Sequence, residues 1–394
     1  MKSKKIIIVG ASTLQIPMIK KAKELGYKVG VVDYNPNAPG IEHADRYFNV
    51  STIDPEGVCR ATKEFKADGI TTVGTDVPMR AIAYTCSTLG LIGITEDTAY
   101  NATDKARMIK KFEKFNVPHP WYYVVACNDY KELKYKLSFP CICKPIDNSA
   151  SRGVIVINDE RELKDGMIYS SSNGRSGTVL IEQLLVGSEI SVEAFVIDGM
   201  THILAITDKL TTGPPHFVEM GHSQPSKFRN LLEKEILKVS SKAISAMGIK
   251  NGPAHVEMMI TNNGPVLIEI GARLGGDYIT TDLVPLSTGI DMLAATIQLA
   301  CGEIPDITRK YSKASSIRYM KTNCGIIKSI KGVEHALKVE GVKKIEILKS
   351  IGEKAPEICN SIDRIGYVIA QGDTVQEAES ACSMALKDVK IMVE

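Results

Sequence analysis

From its amino terminus the chain alternates short apolar runs with longer amphipathic ones. Ile6–Val9 is an unbroken apolar run of strand length, followed by a Gly10–Ser12 turn. Ile16–Leu25 repeats its apolar residues at helical spacing and is ended by Gly26. Lys28–Val32 reads as the next strand, ending at Asp33. A second unit follows, with a Pro55–Phe65 helix, an Ile70–Gly74 strand, a helix from Pro78 and a Leu91–Ile94 strand. Strands that alternate with helices predict a parallel, doubly wound sheet over residues 1–100. Such sheets gather ligands at the carboxyl ends of their strands. A Thr103–Phe115 helix comes next, with Thr103 as its expected N-cap. Pro118 and Pro120 mark a linker. Short strands dominate from Trp121 to Val196, with two helices and two loops rich in Ser and Gly, Asp147–Gly153 and Ser170–Gly177. Both loops are expected to be mobile and solvated. Helices are predicted over Lys227–Met247 and Ile290–Cys301, and Gly302–Lys313 is a polar boundary. The remainder reads as a mixed α/β unit ending in a Val375–Asp388 helix.

Between the two later helices lie apolar runs Ala254–Ile260 and Pro265–Ile270, flanking an Asn-Asn-Gly turn. Each carries one glutamate where a buried strand prefers an aliphatic residue. Strand side chains alternate faces, so loop length decides whether Glu257 and Glu269 meet. A three-residue loop, Asn262–Gly264, pairs Thr261 with Pro265 and sets the two glutamates opposite each other. A two-residue loop sends them to opposite faces. Gly264 suits a positive-φ position that closes a three-residue loop. Adjacent carboxylates repel unless a cation lies between them. Hard oxygen pairs suit magnesium with nucleotide phosphates. Arg273 follows four residues after Glu269, beside Gly275 and Gly276, where backbone can approach a ligand. The plain alternative is a hairpin with two solvated glutamates.

Composition narrows the classes. A 394-residue chain suggests two or three domains packed as one body. Lys+Arg 48 against Asp+Glu 46 leaves a formal charge of +2, which offers no electrostatic footprint for nucleic acid or membrane. The amino terminus is basic and then apolar like a secretory leader. Its apolar run is only Ile6–Val9, and charge returns at Lys20 and Lys21, so a first strand is expected. Nine cysteines show no Cys-x-x-Cys or zinc-type pair, and free thiols in the cytoplasm are the expectation. Cys141 and Cys143 should face one side of a strand. The first strand lacks the second and third glycines of a dinucleotide fingerprint, although Asp33 stands near the place of a ribose-binding acid.

Lys144 closes the apolar run Phe139–Cys143, and the Asp147–Gly153 loop follows it. A lysine there is often a snorkelling cap. Beside a small-residue loop it can instead act as a point charge for phosphates held by backbone N–H groups. Val179–Leu185 is a strand run holding Glu182 and Gln183, with Glu189 shortly after. Acceptors at a strand end can read an adenine amino group, and a nearby carboxylate can accept ribose hydroxyls.

The order Lys105, Lys144 with its loop, Glu182, Glu189, Glu257, Glu269, Arg273 resembles the ATP-grasp superfamily. The resemblance covers nearly the whole chain. Ala314–Gly332 and Asp363–Ala378 look like the C-terminal domain of these enzymes. It implies an α/β ATP-grasp fold with three units. These are an N-terminal Rossmann-like pre-ATP-grasp domain over 1–102, the grasp over 103–305 with a lid near 121–196, and an α+β domain over 306–394. It further implies ATP and two magnesium ions, with manganese as a substitute. Lys105 and Lys144 would contact phosphates under the loop that carries Ser149, Ser151 and Gly153. Glu182, Gln183 and the Leu184 backbone would hold adenine, and Glu189 the ribose. Glu257 and Glu269 would bind metal, with Glu269 bridging. Arg273 would stabilise the transferred phosphoryl group, making Glu269 and Arg273 the catalytic pair. Many members carry Asn two residues after the second glutamate; here that position is Gly271.

The resemblance also implies a carboxylate–amine ligase acting through an acyl phosphate. TTGPPHFVEMGHSQP (Thr211–Pro225) and GARLGGD (Gly271–Asp277) look most like the L-amino acid ligases, which join two amino acids. His216, Glu219, Arg273, Gly275 and Gly276 would then hold the substrates. A structural cluster or a zinc site are the other readings of His216, Glu219 and His222. The rival enzymes are a purine-pathway ligase of the phosphoribosylamine–glycine type and a biotin-carboxylase relative. A non-catalytic nucleotide-binding regulator and an NAD-dependent oxidoreductase stand outside that class. Small-molecule carboxylate and amine partners are expected, with no nucleic acid or membrane, and homodimerisation follows by analogy.

Overall fold

The computed structural model describes residues 3–394 except 127, 128, 130–132, 134, 135 and 150. Four parallel strands open the chain: β1 (Lys5–Val9), β2 (Lys28–Asp33), β3 (Arg46–Asn49) and β4 (Gly69–Thr71), in the order β3-β2-β1-β4. The predicted parallel sheet is therefore present, with β3 as a strand the periodicity missed. Ile7 and Val9 enter one core, while Ile6 and Ile8 enter the other. Burial on both faces is why β1 reads as a continuous apolar run.

Two local expectations are corrected. Leu91–Ile94 is not a strand; it is an irregular link in which Leu91 N–H bonds back to the Cys86 carbonyl past the helix end. Its Ile94 covers the core rather than joining a ladder. The helix after it spans Lys105–Lys114 and is capped by Asp104, whose Oδ1 accepts from Ala106 N at 2.9 Å and Arg107 N at 3.1 Å. Thr103 cannot cap it, because its hydroxyl donates to the Ala99 carbonyl of the preceding helix. The last helix runs Val375–Asp388 as predicted.

A second sheet orders β5 (Tyr122–Ala126), β8 (Thr178–Gln183), β6 (Cys141–Pro145) and β7 (Ile155–Ile157) as β5-β8-β6-β7, with the Leu163–Ser172 helix packed on it. Cys141 and Cys143 are both buried there. The largest sheet has eight strands: β9 (Ser188–Ile197), β10 (Met200–Thr211), β11 (Glu219–Gln224), β12 (Gly252–Thr261), β13 (Gly264–Gly271), β14 (Ala314–Tyr319), β16 (Val342–Ile347) and β18 (Gly366–Gly372). Its order is β13-β12-β9-β10-β11-β14-β18-β16. A small sheet of β15 (Gly325–Lys331), β17 (Lys354–Ala355) and β19 (Lys390–Val393) completes the chain. The β9–β12–β13 face shares one core with the first sheet and the Arg229–Met247 helix. The strand ends of the amino-terminal sheet therefore lie beside the glutamate hairpin.

Candidate active site

Glu257 and Glu269 are cross-strand partners in β12 and β13, as expected, but by a different device. Thr261 pairs with Gly264, so the turn has two residues and not three. That register alone would set Glu257 opposite Ile268. A bulge between the Met258–Leu267 and Glu257–Glu269 pairs inserts Ile268 and shifts the ladder by one residue. The two carboxylates thereby share a face. Gly264 has φ +98°, the left-handed conformation anticipated for it.

Neither carboxylate is solvated alone. Glu257 Oε1 lies 3.2 Å from Lys209 Nζ and 2.9 Å from His255 Nε2. Glu269 Oε2 lies 3.2 Å from Lys105 Nζ, which also donates to the Asn148 carbonyl at 2.7 Å. Burial alone would raise the Glu257 carboxyl; the Lys209 ammonium and the His255 ring overcome it and hold the group well below the usual carboxylate range. Lys209, which sequence reading missed, is only 2% exposed and also meets Glu189 Oε1 at 2.5 Å and Glu219 Oε1 at 3.5 Å. Burial works against its charge, and those three carboxylates together raise its pKa well above that of a free lysine. Its signal was an Asp208-Lys209 pair at the end of an apolar strand, which resembles an ordinary strand terminus.

Arg273 reaches across to the amino-terminal sheet. Its Nε and Nη2 each bond the Asp76 carboxylate at 2.8 Å, a bidentate pair. Asp76 follows Gly74 in the loop after β4, where doubly wound sheets present ligand residues; sequence reading passed over it. Gly276 faces the Gly74 carbonyl, so the two loops touch. A Cβ on Gly271 would sit 3.1 Å from the Arg273 Cζ. The guanidinium thus covers the space into which a side chain at position 271 would project. A second metal ion therefore has no amide ligand there.

Beside these groups opens a cleft of about 400 Å³. Its walls carry Asp76, Arg80, Lys105, Arg152, Arg175 and Glu269. Four cations around one opening suit a polyphosphate. Ser149 lines the cleft, while Ser151 and Gly153 hold left-handed turns behind it, at φ +56° and +79°. The two Ser/Gly loops, expected to be mobile and solvated, are fastened together. Asp147 accepts from the Arg175 and Ser176 N–H groups, Asn148 Nδ2 donates to the Asn173 carbonyl, and Ser170 donates to the Gly153 carbonyl.

Lys144 and Glu182 form a buried ion pair at 2.5 Å. Glu182 Oε2 is buried without a hydrogen-bond partner, an acceptor left open. Gln183 lies exposed at the end of β8, donating its N–H to the Trp121 carbonyl, and half-buried Leu184 follows. Lys144 therefore sits beside Glu182 and does not line that cleft.

On the other side of Lys209, the carboxyl-terminal segment closes the site. Ser361 Oγ donates to Glu219 Oε2 at 3.3 Å, and the Arg364 guanidinium bonds both Asp277 oxygens at 2.7 Å. His222 Nε2 meets Asp277 at 3.3 Å. Burial raises the Glu219 carboxyl, only partly offset by Lys209. Asp277 and Tyr278, just after Gly275 and Gly276, are both left-handed at φ +51° and +61°, a strained pair held by these contacts. His216 lies in the Thr212–Val218 loop with Nδ1 buried and unpartnered, and among the described residues no hydrogen bond or ion pair joins it to Glu219 or Arg273. Among the described residues no three His, Cys, Asp or Glu side chains gather as zinc would need. Asp33, the would-be ribose acid of a dinucleotide fold, instead bonds the Ala11 and Asn35 N–H groups.

Magnesium fits the hairpin. The protein contacts of Glu257 use Oε1 and that of Glu269 uses Oε2. Each carboxylate thus offers a second hard oxygen on one face, beside a cleft shaped for phosphates.

Comparison with known proteins agrees with this arrangement. Residues 137–282 match the family described as ATP-grasp domain, and residues 319–394 match L-amino acid ligase C-terminal domain 2. The alanine–anticapsin ligase of Bacillus subtilis is 27% identical over 71% of this chain and 66% of its own length. The crystal structure of phosphoribosylglycinamide synthetase from Anaerococcus prevotii superposes with a TM-score of 0.80 at 25% identity, covering all of both chains. That of an L-amino acid ligase from Bacillus licheniformis reaches 0.86 at 22% identity, again over both whole chains, a likeness of fold. The chain thus carries an ATP-grasp domain and an L-amino acid ligase C-terminal domain, which mark an enzyme that forms C–N bonds.

Proposed function

We propose that this ligase joins two amino acids into a dipeptide, using ATP to activate one carboxylate. The observation that carries the reading is the junction between the carboxyl-terminal segment and the grasp. Residues 319–394 match an L-amino acid ligase domain, and Ser361 and Arg364 of that segment reach Glu219 and Asp277 beside the hairpin. Glu219, Arg273, Gly275, Gly276 and His216 remain the proposed substrate residues. A glutamate suits an ammonium group and an arginine suits a carboxylate. The working division is 1–102, 103–305 and 306–394, and a homodimer in the cytoplasm is the accompanying expectation.

The substrate carboxylate oxygen attacks the γ-phosphorus of ATP. An O–P bond forms, the bond to the β-phosphate oxygen breaks, and ADP leaves. The amine of the second amino acid then attacks the acyl carbon, phosphate departs, and the nitrogen loses a proton. In this reading Lys105, with Ser149, Ser151 and Gly153, receives the phosphates. Glu182, Gln183 and the Leu184 backbone hold adenine, with Lys144 alongside, and Glu189 holds the ribose. Glu257 and Glu269 would hold magnesium, which neutralises charge on the transferred phosphoryl group. Arg273, fixed by Asp76, would stabilise that charge. No serine or cysteine nucleophile is required.

Two measurements test the reading. A phosphate-release screen over a matrix of amino-acid pairs, with mass spectrometry of products, should find release that needs both partners and yields a dipeptide. Release with phosphoribosylamine and glycine, or with bicarbonate and biotin, would transfer the enzyme to the rival classes. For the nucleotide site, Lys144→Met should weaken ADP binding at least about tenfold, the value of one hydrogen bond to a charged group. Calorimetry returning wild-type ADP affinity would remove Lys144 from that site.

A further inference from the structure

We propose that Glu193, His255 and Lys209 form a buried clamp that presents Glu257 to the metal through a single oxygen, with Gly275 as the clamp's required spacer. The inference rests on the reading of Glu257 as a metal ligand and adds the residues that aim it.

Cross-strand pairing places His255 of β12 opposite Glu193 of β9. Two residues on, Glu257 emerges from the same face of β12. The imidazole therefore stands between two carboxylates. Its Nδ1 lies 2.7 Å from Glu193 Oε1 and its Nε2 lies 2.9 Å from Glu257 Oε1. One ring nitrogen thus meets a carboxylate on each side, and the ring ties Glu257 to Glu193. Glu193 is fully buried and Ser191 Oγ donates to it at 3.1 Å.

Lys209 approaches the same atom, Glu257 Oε1, from β10 at 3.2 Å. Two nitrogen groups thus converge on one oxygen and leave Oε2 as the ligand atom. A carboxylate held this way cannot rotate to chelate the ion with both oxygens. Groups that orient a ligand in this manner govern metal affinity.

Gly275 closes the back of the clamp. A Cβ at that position would sit 2.6 Å from His255 Nδ1 and 2.9 Å from Glu193 Oε2. Both atoms belong to buried side chains, at least one of which must shift to admit the methyl group. Gly275 is therefore tied to the orientation of Glu257.

The test separates aiming of the metal ligand from general structural support. Mn2+ binding to the ADP-saturated enzyme would be followed by electron paramagnetic resonance, and ADP binding in EDTA by calorimetry. In His255→Gln and Gly275→Ala the Mn2+ dissociation constant should rise about tenfold or more, the scale of lost ligand orientation. ADP affinity in EDTA should stay at the wild-type value. An unchanged Mn2+ constant, or an equal loss of Mn2+ and metal-free ADP binding, overturns the clamp. If those variants do not fold, Glu193→Gln keeps the shape and one acceptor oxygen, and should give a smaller rise; no rise overturns the proposal. Glu257→Gln serves as control. Wild-type Mn2+ affinity in that variant would mean that the metal-ligand assignment itself is wrong, and the clamp falls with it.

Discussion

Glu269→Gln should keep the fold and lose turnover by about 10³-fold, the scale seen when one preorganised electrostatic group is removed. The reason is positional. Glu269 stands directly across from Glu257, and it lines the cleft that Arg80, Lys105, Arg152 and Arg175 make basic. The amide matches the carboxylate in size but carries no charge to hold a divalent ion against the phosphates. Lys105, its partner, keeps the Asn148 carbonyl, so no cation is stranded. Steady-state phosphate release at saturating magnesium measures the loss, and circular dichroism checks the fold. A rate near wild type would take Glu269 out of the metal site.

Arg364→Met should lower stability by about 1.5–3 kcal/mol, because it removes both charged hydrogen bonds to the half-buried Asp277 carboxylate. The cost falls where the chain is already strained, at the left-handed Asp277 and Tyr278. Burial alone would raise the Asp277 carboxyl, but Arg364 and His222 outweigh it and hold it well below the usual range. A carboxyl depressed in the folded state adds stability above its unfolded pKa, near 3.9. That contribution fades as pH falls through the lowered folded value. Urea unfolding should therefore show a steep acid limb below about pH 4 in wild type and a flatter one in Asp277→Asn. Equal midpoints for wild type and Arg364→Met at pH 7, or superimposable acid limbs, would refute this role.

Much of the architecture was legible because local rules and tertiary structure agreed. β1, β2 and the Pro55–Phe65 and Val375–Asp388 helices stand where periodicity and capping set them. Disagreement arose where a local rule met a competing partner. Thr103 resembles an N-cap, yet its hydroxyl serves the preceding helix. Leu91–Ile94 has strand composition but joins no ladder, and its Leu91 N–H bonds back to the preceding helix. The glutamate pair was anticipated with the wrong turn, because a bulge at Ile268 cannot be read from an apolar run. Lys209, Asp76 and Arg364 were missed for a related reason. Each is an ordinary charged residue in its own segment, and each gains its role only from a partner far along the chain.

The sequence by itself determined the alternation of strands and helices, the order of acidic and basic side chains along the chain, and the class of chemistry that order implies. Those properties follow from side-chain period and residue type, which are local. Only the tertiary structure decided which charges face one another. It put Asp76 onto Arg273, drew three carboxylates around Lys209, and brought Arg364 to Asp277. Pairing across sheets and between distant loops depends on register, bulges and the packing of whole layers, and no window of sequence contains those.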